Sequence, residues 1–135
     1  MALVFNLYAR NRHVDYVVLN NAHQLDIYTG SHPADANATT TGELVVQITP
    51  IRTATSGEFI GSNGTQTWSG TATGTALMDG TFGYARLVED DNRTYVIQGS
   101  VGTADLNDFV VNAGTCASGD VVNLTKLAFI YPEEY

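Results

Sequence analysis

Lysine, tryptophan and cysteine each occur once in this 135-residue sequence, and proline three times. Each scarcity removes a class of explanation. A lone Cys116 excludes a disulfide within the chain and a cysteine-rich zinc site; it reads as a small buried or loop thiol. Lys126 and the arginines make six basic residues against fourteen acidic ones, a net charge of −8. Scattered as they are, six cations form no patch able to displace phosphate counterions, so nucleic-acid binding is not expected. The same balance disfavours anionic lipid surfaces. Charged residues are only 15% of the chain, too few to coat exposed helices. No run approaches the ~18–20 apolar residues that span a bilayer. The apolar stretch within Met1–Arg12 is broken by Asn6 and lacks a basic start, so the expectation is a chain without a secretory signal, made in a cytoplasm. The sequons at Asn37, Asn63, Asn92 and Asn123 then carry no glycosylation meaning.

Catalytic patterns are missing too. His13, His23 and His32 lack the i, i+4 spacing of a helical zinc pair, and His32 before Pro33 reads as a turn residue. No Gly-x-Ser-x-Gly elbow appears with an Asp and a His in sensible order. Gly70–Gly74 has no phosphate-loop lysine. The carboxylates of Glu89-Asp90-Asp91, Asp105/Asp108 and Glu133-Glu134 read as solvated turns, because local acidic clusters do not face one another across a cleft. A surface Ca²⁺ on Asp90, Asp91 and Asn92 stays open as a reading, without EF-hand spacing. The chain is therefore expected to be no enzyme and to need no cofactor or metal.

What remains is abundant Thr, Val and Gly, the composition of strands and tight turns. A length of 135 residues suits one domain, residues 1–135, with a single core. Strands are expected at Gln24–Thr29, Glu43–Thr49, Gly83–Val88, Arg93–Gln98, Phe109–Asn112 and Asp120–Tyr131. In Glu43–Thr49 the alternation puts Leu44, Val46 and Ile48 on one face and Val45 and Gln47 on the other. Asn63-Gly64 is the strongest hairpin signal, with Glu58–Gly61 and Thr65–Ser69 as arms. Ala34–Ala38 reads as one helical turn opening at Pro33, and Gly99 and Gly102 bracket a turn. Between Arg12 and Ala22, Val14, Val17, Val18 and Asn21 share a helical face, while Val14, Tyr16 and Val18 alternate like a strand. The short helix is preferred, since Asn11 offers a cap and residues 20–23 close it. Many short strands at this spacing indicate an all-β, antiparallel sandwich, jelly-roll-like or immunoglobulin-like. It would carry a short N-terminal helix, an extended arm over residues 1–12 and an exposed tail over 132–135.

The order of several short motifs goes further. They are Ile27-Tyr28-Thr29-Gly30, Pro33-Ala34, Gly42-Glu43-Leu44, Tyr84-Ala85-Arg86-Leu87, Gly99 through Thr103, Asp108 through Val111 and Gly119 through Val122. In this order they resemble small β-sandwich virion proteins of tailed bacteriophages, over about two-thirds of the chain. The resemblance implies a head decoration (cement) protein that binds and stabilises the capsid shell. Its partners would be the major capsid protein and further copies of itself, as a trimer or dimer, on a virion assembled in the host cytoplasm. The candidate interface residues are Leu3, Val4, Phe5, Leu7, Tyr8, Trp68, Phe129, Tyr131 and Tyr135. The apolar arm is expected to add a strand to a neighbour's sheet edge, and Leu127–Tyr131 to pair between subunits in the same way. The alternatives are a carbohydrate- or host-binding module of a phage fibre and a tail or connector protein. For the former, Tyr8, Tyr28, Trp68, Tyr84, Tyr95 and Tyr131 would form a sugar-stacking platform; aromatics more often pack in cores and protein interfaces.

Overall fold

A computed structural model describes residues 24–36, 38–49, 58–62, 65–69, 72–88 and 96–130. The expected N-terminal arm, the helix after it, the acidic turn at 89–92 and the C-terminal tail lie outside the described residues.

All regular structure among the described residues is β. The strands are β1 (Gln24–Tyr28), β2 (Leu44–Ile48), β3 (Glu58–Ser62), β4 (Thr65–Ser69), β5 (Ala72–Thr75), β6 (Gly80–Thr81), β7 (Tyr84–Val88), β8 (Val96–Gly99), β9 (Val101–Gly102), β10 (Phe109–Val111), β11 (Thr115–Cys116) and β12 (Val121–Ile130). The expected strands are present to within a few residues at their ends. The hairpin arms pair as read, with Ser62 opposite Thr65 and two residues between them. Ala34–Ala38 forms no helix: a turn closes it, the Ala38 N–H donating to the Asp35 carbonyl (3.2 Å) and side chain (3.1 Å).

One sheet has the order β2-β1-β7-β8, all antiparallel. A second runs β3-β4-β12-β10-β9, with β5 beside the first half of β12. β6 and β11 form a small ribbon. Strand alternation divides the residues of the first sheet. Leu25 and Ile27 of β1 and Ala85 and Leu87 of β7 face inward. From the second sheet come Ala72, Val101, Phe109, Val111, Val122 and Leu124, all in one continuous buried cluster. Each buried Leu, Ile or Phe contributes about 1.5–3 kcal/mol relative to exposure.

Three local features depart from plain alternation. First, Ile27 pairs with Val46 but Tyr28 with Leu44, so Val45 is bulged. Val45 was expected on the face opposite Val46, yet both are fully buried in the core, because the extra residue of a bulge re-aims its neighbours. The freed Val45 carbonyl accepts from the Leu77 N–H (2.7 Å). Second, β5 hands over from β12 to β2: Ala76 bridges to Val46, and a side chain on Gly74 would overlap the Gln47 carbonyl. Third, Gly99 and Gly102 do not simply bracket a turn. Val101 and Gly102 pair in parallel with β10. A parallel crossover normally takes a dozen or more residues; the short connection over residues 103–108 limits the ladder to two pairs.

β12 is an inner strand. Leu127 through Ile130 pair with Trp68 through Thr65 of β4, while β10 lies along its other edge up to Leu127. The stretch expected to pair between subunits is thus engaged within the chain along its β4 side.

Candidate functional site

The outer face of the first sheet is not open to water. Asp26, Tyr84 and Arg86 point away from the core by alternation, yet they are 0%, 0% and 6% exposed. Residues 29–36 and 38–43, on the connection from β1 to β2, fold back over this face as a strap. The Tyr84 hydroxyl donates to the Thr41 carbonyl (2.8 Å) and accepts from the Thr41 N–H (2.9 Å). Arg86 Nη2 donates to the Ala38 carbonyl (2.9 Å), and Gln98 Nε2 to the Pro33 carbonyl (2.8 Å). Thr29 and Glu43 close the base of the strap through paired hydrogen bonds of 3.0 Å. Gly42 permits this with φ +71°, in contact with the Thr29 carbonyl where a Cβ would stand.

Charge beneath the strap is compensated locally. The register sets Asp26 directly opposite Arg86. Gln24 Nε2 donates to Asp26 Oδ1 (2.6 Å) and Arg86 Nε to Gln98 Oε1 (3.2 Å). Buried charges persist only with such partners. Beside them Tyr28 stacks on Tyr84, ring centroids 5.2 Å apart at 11°.

At the strap's edge lies a cleft of about 330 Å³ lined by His32, Gln98, Gly99, Ser100 and Asp108. A carbonyl only accepts, so His32 Nδ1 donates to the Pro33 carbonyl across 2.8 Å. Ser100 and Asp108 are bonded to each other three times. The Ser100 hydroxyl donates to Asp108 Oδ2 (3.2 Å) and accepts from the Asp108 N–H (3.0 Å), and the Ser100 N–H donates to the same carboxylate (2.9 Å). These bonds lock a loop. Among the described residues no group of three or more His, Cys, Asp or Glu is placed to hold a metal.

That locked loop, residues 103–108, displays Leu106 at 97% exposure. Asn107 secures it from within, its N–H (3.0 Å) and its Nδ2 (3.1 Å) both donating to the Ala104 carbonyl. A second exposed apolar group, Leu77, Met78 and Val121, sits where residues 75–81 run beside 115–121. Cys116 lies beneath it, its thiol donating to the Met78 carbonyl (3.4 Å). Burial pushes this thiol above its ordinary value; a backbone hydrogen bond from Gly80 opposes the shift, and the Asp120 and Asp79 carboxylates add to it.

Of the interface residues expected from sequence, Trp68 falls in β4 opposite Leu127, and Phe129 in β12 opposite Gln66. Leu3, Val4, Phe5, Leu7, Tyr8, Tyr131 and Tyr135 lie outside the described residues, as do His13, His23, and Asp90 to Asn92. Tyr28 and Tyr84 are buried in the stack, which removes them from any sugar platform. Leu106 was missed; a leucine between Asp105 and Asn107 in a turn-rich stretch is the signal that could have found it. No protein-family model matches this chain, nor does any curated protein or solved structure.

Proposed function

We propose that this chain is a tailed-phage virion protein, a head decoration (cement) protein that binds the capsid shell through protein–protein contacts and stabilises it. In this reading the two sheets form a β-sandwich around their shared core, and the protein transforms no substrate. The observation that carries it is Leu106. A wholly exposed leucine has no role inside the fold, and its loop is already ordered by Ser100, Asp108 and Asn107. A preformed apolar knob docks without paying loop-ordering entropy. One such knob is small beside the roughly 1,000 Å² that a stable interface needs, which fits a protein that acts as a trimer or dimer on a repeating lattice, where each further contact is effectively intramolecular.

Co-sedimentation with shells of the phage that encodes the chain tests this. The expected result is binding at a copy number set by lattice symmetry. Presence at the portal vertex alone makes it a connector instead, and no binding to the virion ends the reading.

The cleft at His32 favours a second reading, a carbohydrate-binding module of a phage fibre. There the Asp108 carboxylate presents hydrogen-bond acceptors to hydroxyl groups, beside the His32 ring. Retention on immobilised host polysaccharide, lost in Asp108→Asn or in Trp68→Ala, would select it over the first.

A further inference from the structure

Residues 75–81 and 115–121 lie side by side, anchored in the core by Ala76 and Cys116, and are laced into one lobe. The Ala76 N–H donates to the Asp120 carbonyl (2.8 Å), and the Gly119 N–H returns to the Ala76 carbonyl (2.9 Å). Val121 pairs with Thr75, Thr115 with Thr81 and Cys116 with Gly80. The Leu77 N–H ties the lobe to β2 through the Val45 carbonyl. Two carboxylates hold the turn that closes it: Asp79 Oδ1 accepts from the Ser118 N–H (2.8 Å), and Asp120 Oδ2 from the Ala117 N–H (2.9 Å).

The outward side of this lobe has an unusual composition. Leu77, Met78 and Val121 are 55%, 38% and 60% exposed, and Val121 pairs only two residues from Leu77. Asp79 and Asp120 flank them, both exposed. Each carboxylate is already oriented by one backbone donor and keeps lone pairs for another. The result is an ordered surface, apolar in the middle and negative at its border.

We propose that this lobe docks onto a different protein whose contact surface is apolar at the centre and basic at the rim; the inference rests on the virion reading, in which that partner is the capsid shell. Charge decides against a second copy. The chain carries fourteen acidic residues against six basic ones. At a net charge of −8 a second copy opposes this acidic border on balance, and juxtaposed like charge is an arrangement interfaces avoid. A basic rim instead pairs with Asp79 and Asp120 in charge-assisted hydrogen bonds, while Leu77, Met78 and Val121 supply the buried centre where binding energy concentrates.

The test uses the full chain and purified shells that lack it, with binding measured at low and high salt. A Leu77→Ser/Met78→Ser variant should bind about tenfold or more weakly at both salts. An Asp79→Asn/Asp120→Asn variant keeps its side-chain carbonyls to accept from Ser118 and Ala117, so the lobe stays folded while the charge is gone. It should bind several-fold more weakly at low salt and nearly normally at high salt, flattening the salt dependence. If the serine variant fails to fold, the asparagine variant decides. Wild-type affinity in a folded variant overturns the lobe's role and leaves the virion reading standing. Failure of the wild-type chain to bind shells overturns the virion reading and this inference with it. Self-association in sedimentation, lost in the serine variant, makes a second copy the occupant and overturns the assignment of a different partner.

Discussion

Tyr84 and Thr41 bond to each other twice, the tyrosine hydroxyl giving its proton to the Thr41 carbonyl and taking one from the Thr41 N–H. One side chain of β7 thereby does for the strap what a neighbouring strand does in a ladder. The strap in turn decides that the outer face of the first sheet is buried.

Tyr84→Phe keeps the stack on Tyr28 and deletes both bonds. Thr41 is exposed, so water replaces its lost partner. The expected loss is about 1–2 kcal/mol in denaturant unfolding. Amide exchange should quicken at Thr41 more than in β1 or β12.

Arg86→Ala is expected to cost more, about 3 kcal/mol. It removes the donors to Ala38 and Gln98 and the buried cation on the strand position opposite Asp26. Asp26→Asn in the same background should recover part of that loss, and a double-mutant cycle on urea midpoints measures the coupling.

Gly74→Ala should destabilise by about 1–3 kcal/mol, since the new methyl group overlaps the Gln47 carbonyl where β5 crosses to β2. Gly114→Ala is the control. A Cβ there meets nothing within 4 Å, and the change is expected to be neutral or slightly stabilising through the unfolded chain. Thermal melts of the pair, run side by side, check both.

Cys116 predicts an alkaline effect. Its thiol holds its proton more tightly in the fold than in the unfolded chain, chiefly through burial. Its contribution is complete below the unfolded thiol's pKa of about 8.5 and is lost as pH rises from there through the raised folded value. The unfolding midpoint of wild type, measured against that of Cys116→Ala between pH 7 and 10, should therefore fall on the alkaline side, so that any wild-type advantage at pH 7 shrinks. Thiol reagents should label the native chain more slowly than the unfolded one.

Leu106→Ser should leave stability within about 0.5 kcal/mol of wild type, because the side chain touches solvent alone. Weakened binding to shells with an unchanged melt is the outcome expected if the knob is a contact residue.

Much of the strand content was legible. Gln24–Tyr28 and Tyr84–Val88 are short, largely apolar segments with a glycine nearby in the sequence, and the Asn63-Gly64 pair marked its hairpin arms correctly. β5, β6 and β11 were not legible, because two to four residues of Thr, Gly and Ala carry no periodicity; only their partners make them strands. The burial of Val45 depends on a bulge created by pairing with β1, which no single-strand alternation reveals. The exposed lobe was hidden for a related reason: Leu77 and Met78 look like ordinary apolar residues until the lacing to residues 117–121 turns them outward.

By itself the sequence determined a β-rich chain with few charged side chains and many turn residues, because a two-residue period and backbone preferences are local properties. Tertiary structure alone decided which faces are covered. Tyr84 lies 43 residues from the Thr41 it grips, and Arg86 lies 48 from Ala38. Covering a face is a contact between distant segments, and no local preference encodes which segment will arrive.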